Sequence, residues 1–253
     1  MRILICGKGG CGKSTLSVML ARAFDEKGYR VILVDADESN FGIPHLIGVE
    51  PPMDLMESFG GKKAFKQKLN APFPADGEGV FVKQQPLDAL PPECVSRSNG
   101  IRVVSIGKIH HFGEGCACPM GMLSKRFLSS LATEPDEVVL VDTEAGVEHF
   151  GRGVIAEGDV ILVVVDPTAE SLKLAGKIRD MAERAEKEAY FVLNKVDADI
   201  EPMMVQRLDA SRVIARIAMD NQMLLASLDS RPIITAGDAV VGLADRLAAH
   251  FGP

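Results

Sequence analysis

Gly7-Lys8-Gly9-Gly10-Cys11-Gly12-Lys13-Ser14-Thr15 follows a short apolar run, Ile3-Leu4-Ile5, and leads into a segment of helical apolar spacing, Ser14 to Lys27. The stretch fits G-x-x-x-x-G-K-[ST] in the strand, loop and helix context that a phosphate-binding loop requires. Glycine lets the backbone wrap close around an anion. The amides of Gly9, Gly10, Cys11 and Gly12, with the helix N-terminus behind them at Thr15, then point at phosphate. Lys13 is placed to reach the β- and γ-phosphates, and the Ser14 hydroxyl to ligate Mg²⁺.

Working outward, similar runs recur at Val31 to Val34, Val103-Val104, Val138 to Val141, Val160 to Val165, Phe191 to Leu193 and Val213-Ile214. They are apolar throughout, as buried parallel strands are. Between most of them lie helical patterns such as Met120 to Ala132, Ser171 to Lys187 and Asp238 to His250. The alternation predicts a doubly wound α/β fold with a mostly parallel sheet, one domain over residues 1–253. Residues 48–100 break the pattern with Pro51-Pro52, Gly60-Gly61, Pro72, Pro74, Pro86 and Pro91-Pro92. They read as an insertion after the second strand, with two weak amphipathic pieces and a hairpin near Val80 to Val82. Lys62, Lys63, Lys66 and Lys68 make it locally basic, either a solvated helix face or a partner surface.

The composition agrees with a globular chain: 253 residues, 47% hydrophobic and 25% charged. A net charge of −7, from 28 basic and 35 acidic residues, argues against nucleic acid or anionic lipid as a general partner. No apolar run approaches the roughly 20 residues of a membrane span. We therefore expect a cytoplasmic protein without stable membrane association. Five cysteines suit a reducing compartment better than a disulfide framework.

Three further strand ends carry chemistry. The second strand ends in Asp35-Ala36-Asp37-Glu38-Ser39-Asn40, two carboxylates at the edge where α/β proteins bind ligands. The run Val138 to Val141 delivers Asp142-Thr143-Glu144-Ala145-Gly146. Here Asp142 is placed to hold Mg²⁺ through water, and Gly146 to let the backbone move when a γ-phosphate leaves. Phe191 to Leu193 leads into Asn194-Lys195-Val196-Asp197, which taken alone also reads as the guanine-reading N-K-x-D motif. His149, three residues after Gly146, is given no role.

The loop His110-His111-Phe112-Gly113-Glu114-Gly115-Cys116-Ala117-Cys118-Pro119 contains a C-x-C pair. Two thiols one residue apart suit a soft metal such as Ni²⁺, Zn²⁺ or Cu⁺, or a shared iron–sulfur cluster. One pair supplies two ligands; two copies across a dimer axis supply four. Cys6 and Cys11 read as core and loop packing beside the phosphate site, and Cys94 as an isolated loop cysteine. His110 and His111 are open as extra ligands or a relay.

With Lys8 inside the glycine loop, the K-G-G-x-G-K-[ST] form resembles the deviant Walker A ATPase family of nitrogenase iron protein, partition ATPases and septum-site ATPases. The resemblance implies that Lys8 reaches across a homodimer to the neighbour's nucleotide as a catalytic charge clamp. It further implies that Asp37 orients the attacking water, that Asp35 contacts the magnesium shell or else caps its turn, and that Asn194 contacts adenine while Asp197 caps a loop or helix. The C-x-C pair and the run Asp142-Thr143-Glu144-Ala145-Gly146-Val147-Glu148-His149 narrow the likeness to the nickel-insertion accessory ATPases of carbon monoxide dehydrogenase. In that group the dimer holds one metal between both pairs and delivers it to a client metalloenzyme. The expectation is an ATP- and Mg²⁺-dependent homodimer carrying one transition metal ion through Cys116 and Cys118. The alternatives are an iron–sulfur ATPase and a positioning ATPase on DNA or membrane.

Overall fold

Strand formation follows from burial on both faces. In a computed structural model, which describes residues 1–70, 86–109, 118–229 and 231–252, strand β1 (Arg2–Gly7) sends Leu4 and Cys6 into one apolar core and Ile3 and Ile5 into another. Alternate residues therefore face opposite cores, so the strand shows no polar face.

The remaining strands are β2 (Arg30–Ala36), β3 (Ser96–Ser98), β4 (Ile101–Ser105), β5 (Glu137–Thr143), β6 (Val160–Val165), β7 (Glu188–Val196) and β8 (Val213–Ala218). The helices are α1 (Lys13–Glu26), α2 (Gly42–Ile47), α3 (Leu55–Ser58), α4 (Gly61–Asn70), α5 (Cys118–Ser130), α6 (Glu148–Gly151), α7 (Ala169–Arg184), α8 (Ile200–Val205), α9 (Asn221–Leu228) and α10 (Asp238–Phe251). The strands form one eight-stranded sheet in the order β3-β4-β2-β5-β1-β6-β7-β8. All pairs are parallel except β3 with β4. One face is covered by α1 and α10, which contribute Leu20, Phe24, Leu243 and Leu247. The other is covered by α5 and α7, through Phe127, Leu128 and Ile178. The doubly wound α/β expectation holds.

Topology places the site. The chain leaves β1 toward β2 on one side, while β6 lies on the other, so the loop after β1 opens where the winding reverses. The register sets Asp35 beside Asp142, and Asp142 beside Ile5, all at the carboxyl edge.

Two short helices stand where two amphipathic pieces were expected, and one expectation changes, that for Cys94. Within 48–100 the described residues form α3, α4 and the antiparallel edge strand β3, and they bury Met56, Phe65, Leu87 and Leu90 in the core beside α5. Cys94 is likewise fully buried there rather than isolated on a loop, because the short turns between prolines still place apolar side chains against the sheet. The hairpin expected near Val80 to Val82 lies outside the described residues, as do His110, His111 and Cys116. Among the described residues no helix is long and apolar enough to cross a membrane.

Candidate functional site at the carboxyl edge of the sheet

The loop of residues 7–15 is held by its glycines and by the end of β7. Gly12 caps α1 at φ 102°, a left-handed conformation open to glycine, and a Cβ there would collide with the Asn194 amide. That amide donates to the Cys11 carbonyl at 2.8 Å. Lys195, itself left-handed at φ 60°, donates to the Gly10 carbonyl at 2.7 Å. Two positions of one strand end thus fix the loop. Lys13 is 6% exposed, and its ammonium donates to the Lys8 carbonyl at 3.4 Å.

Beside the loop lies a polar cluster. The Ser14 hydroxyl donates to Asp142 Oδ2 at 2.6 Å, and Ser17 donates to Asp142 Oδ1 at 3.2 Å. The Asn40 amide donates to Ser14 Oγ at 2.6 Å. Burial pushes the Asp142 carboxyl up to about 7 against the Ser14 hydrogen bond. Hydroxyl and carboxylate oxygens gathered around a buried acid are a hard donor set that fits Mg²⁺, which would supply charge neutralisation for phosphates. Asp37 accepts from the Ser39 amide (2.9 Å) and hydroxyl (2.6 Å) and borders the same cavity. Gly146 donates its backbone N–H to the Gly7 carbonyl at 3.2 Å, tying the segment after β5 to the loop.

A cavity of about 640 Å³ starts at Gly9, Gly10 and Gly12 to Thr15, passes Asp37 and Asn194, and ends between Met219-Asp220 and Ala236 to Val240. Its size suits a nucleotide, with phosphate at one end and a base at the other. Lys13, Ser14, Asp37 and Asn194 are brought together here, with Asp142 directly behind Ser14. Asp197 stands apart: its carboxylate accepts from the amides of Asp199 and Ile200 at 3.0 and 2.8 Å, so it caps the turn into α8. Lys8 does not line this cavity; its ammonium pairs with Asp166 Oδ2 at 3.5 Å.

Other residues depart from the reading above. Asp35 caps its turn, Oδ1 accepting from the Asp37 amide at 3.3 Å, and makes no hydrogen bond to Ser14. Its carboxylate, 1% exposed, ion-pairs at 2.7 Å with Lys108, without the alignment of a hydrogen bond. Burial outweighs that ammonium and pushes Asp35 up to about 6. Cys118 is the exposed first residue of α5 and is disulfide-bonded rather than a free thiol, whereas Cys6, Cys11 and Cys94 are free and buried. Sequence reasoning missed Lys108, which no motif marks. It also missed Asp166, although that residue ends an apolar strand just as Asp142 does.

His149 packs in the core, with Nε2 3.1 Å from Cys6 Sγ. Burial, and then the positive charges of Lys13 and Arg152, pull it down to about 3. A histidine depressed in the fold leaves stability intact above its unfolded value and lost as pH falls. Between pH 7 and pH 5 this group alone should remove about 2 kcal/mol, from 1.4 kcal/mol per pH unit below about 6.5. Urea unfolding at the two pH values checks it, with His149→Leu showing a correspondingly smaller loss.

The comparisons agree with this geometry. The profile of the CobQ/CobB/MinD/ParA nucleotide binding domain matches residues 3–233. An uncharacterized ATP-binding protein of Methanocaldococcus jannaschii is 44% identical over 228 residues, covering 90% of this chain and 92% of its own. The carbon monoxide dehydrogenase accessory protein CooC of Rhodospirillum rubrum is 31% identical over 230 residues, 87% of this chain and 84% of its own. In structure, the septum site-determining protein MinD of Pyrococcus horikoshii, complexed with Mg-ADP, superposes with a TM-score of 0.71 at 17% identity over 99% of this chain and 97% of its own. That last likeness is one of fold. With a phosphate loop at the winding reversal and a nucleotide-sized cavity beside it, the chain belongs to the CobQ/CobB/MinD/ParA nucleotide-binding family and is a P-loop ATPase.

Proposed function

We propose that this ATPase is Mg²⁺-dependent, works as a homodimer, and couples ATP binding and hydrolysis to insertion of a transition metal, nickel foremost, into a client metalloenzyme such as carbon monoxide dehydrogenase. The metal is cargo, held by Cys116 and Cys118 of two copies. The observation that carries this reading is the place of Cys118. It opens α5, on the connection that leaves β4 at the same carboxyl edge as the phosphate loop, and it is exposed. The likeness to the accessory protein CooC supports the same client class.

In this reading the amides of Gly9, Gly10, Cys11, Gly12 and Thr15, with Lys13, bind phosphate, and Asn194 faces adenine. Ser14 and Asp142 hold Mg²⁺, Asp37 positions water, and Gly146 moves with the departing phosphate. Lys8 acts on the nucleotide of the other copy. A reducing compartment such as the cytoplasm fits the thiol requirement.

The test is elemental analysis and ATPase assay of protein isolated anaerobically with reductant and no added metal. We expect hydrolysis to require Mg²⁺, and about one transition metal ion per two chains, from four thiolates per tetrahedral or square-planar ion. Iron with equimolar sulfide would replace the single-ion reading by an iron–sulfur one. Reduced protein that takes up no metal on titration would sink the metal reading and leave the ATPase standing.

A further inference from the structure

Lys108 lies on the continuation of β4. Ile106 donates its amide to the Asp35 carbonyl at 2.9 Å, and Ile109 donates to the Glu38 carbonyl at 3.1 Å. Residues 106–109 therefore run alongside 35–40 and extend the pairing of β2 with β4. The Lys108 side chain turns inward and is buried at 9% exposure. An ammonium buried in this way needs an acceptor for each of its protons. It donates to two, the Asp37 carbonyl at 2.6 Å and the Asn40 carbonyl, and its charge is paired by Asp35 Oδ2 at 2.7 Å.

The distribution of those acceptors carries the argument. A pair that only stabilised the sheet edge would engage Asp35 alone. Here both hydrogen-bond acceptors are carbonyls of the turn after β2. That turn presents the Asp37 carboxylate to the cavity, and its Asn40 holds the Ser14 hydroxyl at 2.6 Å. The turn's internal bonds are short-range: Asp37 accepts from Ser39, and Asn40 Oδ1 accepts from the Gly42 amide at 2.8 Å. With the Ile109 amide on the Glu38 carbonyl and the Asn40 amide on Ser14, Lys108 is a long-range tie on this turn, and it reaches two of the turn's carbonyls from the sheet side.

We infer that Lys108 is a positioning residue for ATP hydrolysis, holding the Asp37–Asn40 turn against the phosphate loop through its two backbone carbonyls. The inference rests on the proposed roles of Asp37 and Ser14. Lys108 bonds the Asp37 carbonyl and does not line the cavity; it acts through the turn's backbone.

The experiment uses the full chain with Mg-ATP and three variants: Lys108→Met, Lys108→Arg, and the double Asp35→Asn/Lys108→Met, which removes both buried charges. Lys108→Met should lower kcat about 10- to 100-fold, the scale of a 1 Å misplacement. KM for ATP should change less than about three-fold, since Lys13 and the loop amides are untouched. Amide hydrogen exchange at Ser39, Asn40 and Gly42 should quicken by at least about ten-fold. Lys108→Arg should recover most of kcat, because its guanidinium can still donate to carbonyls.

The double variant should regain melting temperature without regaining kcat. A double variant with wild-type kcat, or Lys108→Met with unchanged exchange at these amides, would reduce Lys108 to a charge partner for Asp35 and overturn the inference. If Lys108→Met does not fold, the double and arginine variants decide the same question. If the wild type binds ATP without hydrolysing it, the hydrolysis reading fails on its own, and amide exchange alone then decides whether Lys108 holds the turn.

Discussion

Lys8→Ala should lower kcat for ATP hydrolysis by about 10³-fold while leaving ATP affinity within a few-fold, the pattern of a cation that acts on transferred charge and not on binding. The geometry separates the two lysines of the loop. Lys13 is buried and borders the nucleotide cavity. Lys8 does not line that cavity; it pairs with Asp166 at 3.5 Å, and its side chain is 23% exposed. In the proposed homodimer this lysine serves the nucleotide of the other copy.

Releasing Lys8 from Asp166 returns to solvent a side chain that is already 23% exposed. Asp166 also keeps its hydrogen bond from the Thr168 hydroxyl at 2.9 Å, so it is not left without a partner. Burial raises its pKa, but Thr168 and Ser171, then Lys8, prevail and hold the carboxyl below the usual range. A mixing experiment decides the geometry. Lys8→Ala combined with Lys13→Gln gives mixed dimers with one complete site if Lys8 acts across the interface. Random pairing then restores about a quarter of wild-type activity, half the dimers having half their sites complete. If Lys8 acted on its own nucleotide, each site in the mixture would lack a lysine and activity would stay at the level of the separate variants.

The parts of the fold legible in the sequence are those decided by burial and by local pattern. Strands β1, β2, β5 and β6 announce themselves because helices cover both faces, so nearly every position is apolar. Strand β3, Ser96-Arg97-Ser98, is a polar antiparallel edge and leaves no such trace. The phosphate loop is legible because its residues are contiguous and its glycines answer to steric need. Lys108 is not, because its meaning depends on a register that sets it beside residues 71 and 68 positions away. The far end of the cavity is built by Met219-Asp220 and Ala236 to Val240, loop segments brought together by β8 and α10 without any motif. Asp166 was readable in principle: an apolar strand ending in a carboxylate is the signal that found Asp142.

Cys116→Ser with Cys118→Ser should abolish transition-metal binding by the reduced protein, taking it from about one ion per two chains to none, while ATP hydrolysis per site persists. Thiolates, not thiols, ligate such metals, and structural sites built on them bind with about 10–16 kcal/mol, so losing every thiolate removes the site rather than weakening it. The other cysteines cannot substitute. Cys6 is fully buried and its thiol is pushed up to about 12 by burial, Cys11 is raised by burial as well, and Cys94 is closed within the core. Cys6→Ser therefore serves as a control expected to leave metal binding intact. Because Cys118 is disulfide-bonded in this structure, reductant is part of the prediction: oxidised wild type should behave like the double variant and regain metal when reduced. Single substitutions test the doubling. If the ion is shared across an axis, each leaves two thiolates per dimer instead of four, and affinity should fall about 10²-fold or more without vanishing, a scale taken from the changes that even outer-shell substitutions cause. Metal content unchanged in the double variant would place the ion elsewhere and end the metal-insertion reading, with the Lys8 result unaffected.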